Sequence, residues 1–291
     1  MIYVPMKKML LAVALLLGAS GVLAEVKLSG ELTQGSLIRG EVAPGSRVWL
    51  NDTALRVTPS GHFVFGIGRD GELTQTLRVE APDGQLYTQQ VEIRKRNYPI
   101  QRIDGVAQKH VTPPPEQLER IRKEGALTRQ ARAKDLERLD FLQDFIWPTT
   151  GRISGVFGSQ RIFNGEPRAP HNGVDVAAPT GTPVVAPAAG VVTLVHPDMF
   201  FSGGTLILDH GYGVSSTFIH LSEILVQEGA EVKQGDLIAR VGATGRATGP
   251  HLHWAMNWFD TRLDPATLVP PMETVLKRQA QENKTVAVSE D

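Results

Sequence analysis

The 291-residue sequence contains no cysteine. That absence excludes disulfides, a thiol nucleophile, cysteine-ligated zinc or iron–sulfur centres, and lipid attachment through an N-terminal cysteine. A surplus of positive charge is also missing: 30 Lys plus Arg oppose 31 Asp plus Glu, a formal net charge of −1. A dedicated nucleic-acid binder has phosphates to neutralise and is disfavoured. Long apolar runs are scarce as well. The unbroken stretch from Met9 to Leu17 falls short of the roughly 20 residues that span a bilayer. Any catalytic or metal chemistry must therefore rest on His, Asp, Glu or hydroxyl groups.

What is present describes a folded chain of two domains. Hydrophobic residues make up 41% and charged residues 21%, enough for real cores at roughly 100–200 residues per domain. Residues 1–24 read as an export signal, with Lys7-Lys8, the apolar stretch and a small-residue cleavage site at Val22-Leu23-Ala24. Residues 25–99 alternate in short strands, as in Arg47-Val48-Trp49-Leu50. Turn signals such as Pro44-Gly45, Asn51-Asp52 and Pro82-Asp83-Gly84 punctuate them, which predicts a small antiparallel β-sandwich. The stretch from Gln34 through Pro44-Gly45 to Gly61 resembles bacterial immunoglobulin-like modules. Residues 100–147 form a linker and connector. Pro113-Pro114-Pro115 breaks the chain, and a charge-balanced helix is predicted from Glu116 to about Asp144. Its apolar stripe would be Leu118, Ile121, Leu139, Leu142 and Phe145 or Ile146, with Gly125 a point of division. Residues 148–271 hold most of the glycine and short Val- and Ile-rich runs, a second β domain. Residues 272–291 form a polar tail.

Six of the eight histidines lie between His171 and His253. In His171-Asn172-Gly173-Val174-Asp175, the flanking Pro170 and Pro179 and the Asn-Gly pair predict a turn entering a strand. Its imidazole and carboxylate suit zinc. In His251-Leu252-His253-Trp254, strand periodicity places both imidazoles on one face and Leu252 on the other. Two such imidazoles can both ligate a metal, or one can ligate while its neighbour moves protons. His220, in Thr217-Phe218-Ile219-His220-Leu221, is placed to reach the same cleft. His210, in Asp209-His210-Gly211, fits a structural role at least as well. His62, His110 and His196 have no partner in the pattern.

These motifs resemble the lysostaphin-like (LytM-type) zinc peptidases of bacterial cell walls. His171-x-x-x-Asp175, Phe218-Ile219-His220-Leu221 and His251-x-His253 occur in the family's order, as do Asp209-His210-Gly211 and Thr248-Gly249-Pro250. The resemblance covers about residues 148–270. It implies a Gly-rich antiparallel β fold in a mostly β protein. It also implies one zinc held by His171, Asp175 and His253, with His251 and His220 beside it. On that resemblance His251 is the general base and His220 stabilises the tetrahedral intermediate, although the two roles are exchangeable. The activity implied is hydrolysis of peptidoglycan peptide cross-links, of D-alanyl–diaminopimelate type, in the periplasm of a Gram-negative envelope. The first module would bind a regulatory or adaptor protein or cover the cleft.

Two other classes share parts of this pattern. Some relatives have lost ligands and act as wall-binding activators of amidases, whereas this chain retains the whole His/Asp set. Two His and one Asp can also hold iron(II), but the usual spacing there is His-x-Asp, whereas three residues separate His171 from Asp175.

Overall fold

The computed structural model describes residues 26–105 and 113–289, so the expected signal and His110 lie outside the described residues. The alternating segments form strands β1 (Lys27–Ser29), β2 (Leu37–Glu41), β3 (Arg47–Leu50), β4 (Thr53–Leu55), β5 (His62–Gly66), β6 (Thr74–Glu80) and β7 (Leu86–Glu92). They pair antiparallel into two sheets, β1-β2-β5 and β4-β3-β6-β7. The inward residues of both, including Ile38, Phe63 and Phe65 from one and Val48, Leu77 and Val79 from the other, share one core. Asn51 and Asp52 join β3 to β4 with φ of 45° and 66°, the left-handed pair that a two-residue hairpin of matching twist requires.

Strand β8 (Ile100–Ile103) and helix α1 (Leu118–Arg132) follow. The helix is half the predicted length, and Gly125 lies inside it without dividing it. An apolar stripe is not what holds it: Leu118 and Leu127 are exposed. Instead Glu124 is buried, accepting from the Phe200 backbone N–H and from Arg120. Ala131 packs on Leu194, Met199 and Ile207. Beyond Arg132 the chain leaves the helix to insert Phe141, Phe145 and Trp147 into the large core. That burial outweighs helix propensity.

The remaining strands are β9 (Arg152–Gly155), β10 (Gln160–Phe163), β11 (Glu166–Pro167), β12 (Val174–Ala177), β13 (Pro183–Val185), β14 (Gly190–Met199), β15 (Gly203–Gly211), β16 (Val214–Leu221), β17 (Glu223–Ile224), β18 (Glu231–Val232), β19 (Leu237–Arg240), β20 (His251–Trp258) and β21 (Thr261–Leu263). The main sheet runs β18-β14-β15-β16-β20-β12-β9, with β21 on β20. One of its faces carries Leu206, Leu208, Phe218, Leu252, Trp254 and Met256, all fully buried. Small sheet β13-β19-β17 contributes Val184, Ile238 and Ala239 to that core. A third small sheet, β11-β10-β8, pairs β8 parallel with β10. Helix α2 (Met272–Ser289) occupies the expected polar tail, anchored by buried Met272.

The first module is built onto the second. Leu37 and Val64 belong to the large core, and Trp258 packs on both. Arg39 donates to the carbonyls of Phe141 and Gln143 at 2.6 and 2.7 Å. Arg96 pairs with the buried carboxylate of Asp264 at 2.8 Å.

Candidate active site

The face of the main sheet opposite the core floors a groove of about 1100 Å³. Adjacent strands β12, β20 and β16 deliver its functional groups. Asp175 on β12 stands across from His253 on β20, and His253 across from Ile219 on β16. With Leu252 and Trp254 buried in the core, His251 and His253 both face the groove, as strand periodicity predicts. His171 lies in the loop before β12. Its N–H donates to the Ser159 carbonyl at 2.9 Å, and its carbonyl accepts from Gly158 at 2.8 Å.

Strict alternation would place His220 on the core side with Phe218. Instead its backbone turns left-handed, φ 65°, a strained conformation for a residue other than glycine. The turn brings its ring into the groove, with centroids 4.8 Å from His251 and 6.3 Å from His253.

Three donor atoms converge. His171 Nε2 lies 3.0 Å from Asp175 Oδ1 and 2.9 Å from His253 Nδ1, and His253 Nδ1 lies 2.7 Å from Asp175 Oδ1. His171 Nδ1 is 3.0 Å from the Val156 carbonyl. A carbonyl only accepts, so the hydrogen sits on Nδ1 and the Nε2 lone pair points at the other two atoms. Two nitrogens and a carboxylate oxygen that share one focus are the donor set of a cation, and the residues fit zinc. Arg161 donates to the other carboxylate oxygen, Oδ2, at 3.0 Å.

Burial alone would raise the Asp175 pKa, but the adjoining His171 and His253 imidazoles hold the carboxyl well below its usual range. Burial lowers His253 to about 4 despite Asp175. Burial, then the neighbouring His251 and His253, lowers His220 to about 3. Both imidazoles beside the donor set have a fixed tautomer. His251 Nδ1 donates to the Gly249 carbonyl at 2.8 Å, and His220 Nδ1 donates to the Thr244 carbonyl at 2.8 Å. In the neutral ring of each, Nε2 is therefore the nitrogen that carries no hydrogen.

The other histidines stand apart from this cluster. His210 is fully buried, bonding the Ala189 carbonyl and Ser216 Oγ, with its pKa lowered to about 4 by burial. His62 bonds Ser60, and His196 accepts from the Asp198 N–H. The groove also holds features that the sequence reading missed. Arg132, Arg161, Arg246 and Arg262 line it, as do Gln101 and Asp104 from the segment after the first module. The net charge of −1 concealed this local basicity. Only the fold brings Arg132 to Arg262, although Arg161 and Arg246 lie close to the motifs in sequence.

Residues 169–265 match peptidase family M23, a span that contains His171, Asp175, His220, His251 and His253. Peptidoglycan DD-endopeptidase ShyA of Vibrio cholerae is 43% identical over 132 residues, 42% of this chain and 30% of the relative. DD-carboxypeptidase/endopeptidase Mpg of Neisseria meningitidis is 40% identical over 101 residues, 35% of this chain and 23% of that one. The matches thus span less than a third of these relatives' own lengths. A solved structure from Pseudomonas aeruginosa assigned to peptidase M23 is 32% identical. It covers 82% of this chain and 95% of its own, with a TM-score of 0.64.

Proposed function

This chain belongs to peptidase family M23, and from that membership we propose that it is a zinc metalloendopeptidase cutting the peptide cross-links of peptidoglycan, of D-alanyl–diaminopimelate type. One observation carries the reading: three metal donors converge on the floor of an open groove, flanked by two imidazoles that each present an unprotonated nitrogen. The names of the similar Vibrio and Neisseria enzymes, both endopeptidases of DD type, support the choice of bond.

His171, Asp175 and His253 would hold the zinc. Bound there, zinc lowers the pKa of water towards about 7 and polarises a scissile carbonyl. The hydrogen bond to Gly249 orients His251 to take the proton of the attacking water at Nε2. It returns that proton to the leaving amine. His220 stands beside it, and would take the stabilising role once its Nε2 carries a proton. Arg161 holds Asp175 in place, and half-buried Ile219 and buried Ala255 keep that part of the floor apolar.

In this reading residues 1–24 are a signal, the protein works in the periplasm, and the immunoglobulin-like module of 25–99 with the connector of 100–147 serves substrate access or a regulatory partner. Among the described residues no helix is long and apolar enough to cross a membrane. The complete donor set counts against the amidase-activator alternative.

The test is digestion of purified cross-linked peptidoglycan by residues 25–291 with one equivalent of zinc, with masses read on the products. Conversion of dimeric muropeptides to monomers is the expected result, and the masses name the bond. Intact dimers in the presence of bound zinc would overturn the proposal.

A further inference from the structure

Two arginines in the groove form no ion pair among the described residues and feel Asp260 only at longer range. Arg132, at the end of α1, is 8% exposed. Its Nε and Nη2 share one acceptor, Thr217 Oγ1, at 3.3 and 3.1 Å. Arg262, on β21, donates from Nη1 to Asn257 Oδ1 at 3.2 Å. Both acceptors are neutral. Among the described residues neither guanidinium has a carboxylate oxygen within the 4.0 Å of an ion pair, whereas Arg161 spends its charge on Asp175. Burying Arg132 beside the half-buried Arg262 with no ion pair to either is costly. Burial and then the proximity of Arg262 lower the Arg132 pKa to about 9, and Asp260 offsets this only in part.

Their position is fixed by sheet register. Thr217, the acceptor of Arg132, stands across from Ala255, two residues and ~7 Å along β20 from His253. Asn257, the acceptor of Arg262, lies two residues further along the same strand.

We propose that Arg132 and Arg262 form a carboxylate subsite that selects the substrate residue on the leaving side of the scissile bond. This rests on the peptidase reading above. In a D-alanyl–diaminopimelate cross-link, the carbon that carries the scissile nitrogen also carries a free carboxylate. That group lies one residue's span from the reacting carbonyl, over a groove floor that both arginines line. Guanidinium forks bind carboxylates in two-point fashion, and the buried setting strengthens the contact. Since Arg132 comes from α1, the connector helix is part of the specificity machinery.

Two synthetic cross-link peptides test this, one with the leaving diaminopimelate carboxylate free and one with it converted to a carboxamide. Hydrolysis by the zinc-loaded chain is expected to favour the free acid on the order of 10–100-fold in kcat/KM. The leaving fragments, acid and amide, are titrated calorimetrically in parallel, a readout that needs no turnover. Arg132→Gln and Arg262→Gln should each erode the preference for the acid in both measurements, and Arg132→Lys should retain part of it. Equal handling of acid and amide by the unmodified protein would overturn the subsite, even if a variant fails to fold. Acid-selective binding without hydrolysis of either peptide would instead uphold the subsite and sink the peptidase reading.

Discussion

Arg161 Nη2 lies 3.0 Å from Oδ2 of Asp175, the carboxylate oxygen turned away from the two imidazoles. The guanidinium fixes the orientation of the carboxylate, so that Oδ1 alone points at the His171 and His253 nitrogens. Supporting partners of this sort typically govern 10–100-fold in metal affinity. Arg161→Leu should therefore weaken zinc binding by roughly that factor while the protein stays folded. Competition with a chromogenic chelator measures it, and unchanged affinity would remove Arg161 from the support of the site.

His251→Ala and Asp175→Ala should separate proton transfer from metal binding. The first is expected to keep zinc and lose roughly 10²–10⁴-fold in turnover. The second should lose both. Metal analysis beside muropeptide masses reads the two quantities, and retained turnover in His251→Ala would move the base role to His220.

Gly155 on β9 faces Asp175 so closely that an added Cβ would overlap Oδ2 and stand 2.9 Å from His171 Cε1. Gly155→Ala should displace the carboxylate and abolish zinc binding. A variant that binds zinc normally would show that the strand can shift to make room.

The fully buried Asp209 has its pKa raised by burial to about 7, with Oδ1 accepting from the Gly211 N–H and Oδ2 unpartnered. The unfolded chain ionises this group near its ordinary value of 3.8. The folded state is thus penalised increasingly as pH climbs from about 4 to about 7, and fully above that. Asp209→Asn keeps the bond to Gly211 and should gain ~1–3 kcal/mol at pH 8 but little at pH 4. Urea unfolding across that range tests it, and parallel pH curves for the two proteins would exclude the carboxylate as the cause.

The aromatic residues of the connector belong to the core of the main sheet. Phe141 is fully buried with its ring 5.1 Å from Tyr212, and Trp147 donates to the Pro270 carbonyl at 2.8 Å. Phe141→Ala should cost ~3–5 kcal/mol. A fragment beginning at residue 148 loses Phe141, Phe145 and Trp147 together and should melt far below one beginning at 134. Equal melting temperatures would show that this packing contributes little.

The parts that were legible in the sequence share a cause. Period-two patterning reports the face of a strand, so the His251–His253 pair could be placed before any coordinates existed, as could the turn that carries His171 into β12. Patterning fails where the backbone departs from regularity or where a partner is distant. The left-handed turn at His220 reverses the face that alternation assigns. The charged stretch after Pro115 has the composition of one long helix, yet it stops at Arg132 because Phe141 and Phe145 find a core that no local signal announces. The meeting of Arg132 with Arg262 depends wholly on α1 lying across the sheet.

Strand β8 forms one wall of the groove by pairing in parallel with β10, although some 60 residues separate Ile100 from Gln160. Closing so long a loop carries an entropic cost that the hairpins of the main sheet never meet. The wall is also the edge strand of a three-stranded sheet, with Ile100 exposed, and is held by fewer bonds than the central strands of the main sheet. Its amide protons should exchange well ahead of those in β15 and β16, so the width of the cleft is set by an equilibrium the rest of the sheet does not share.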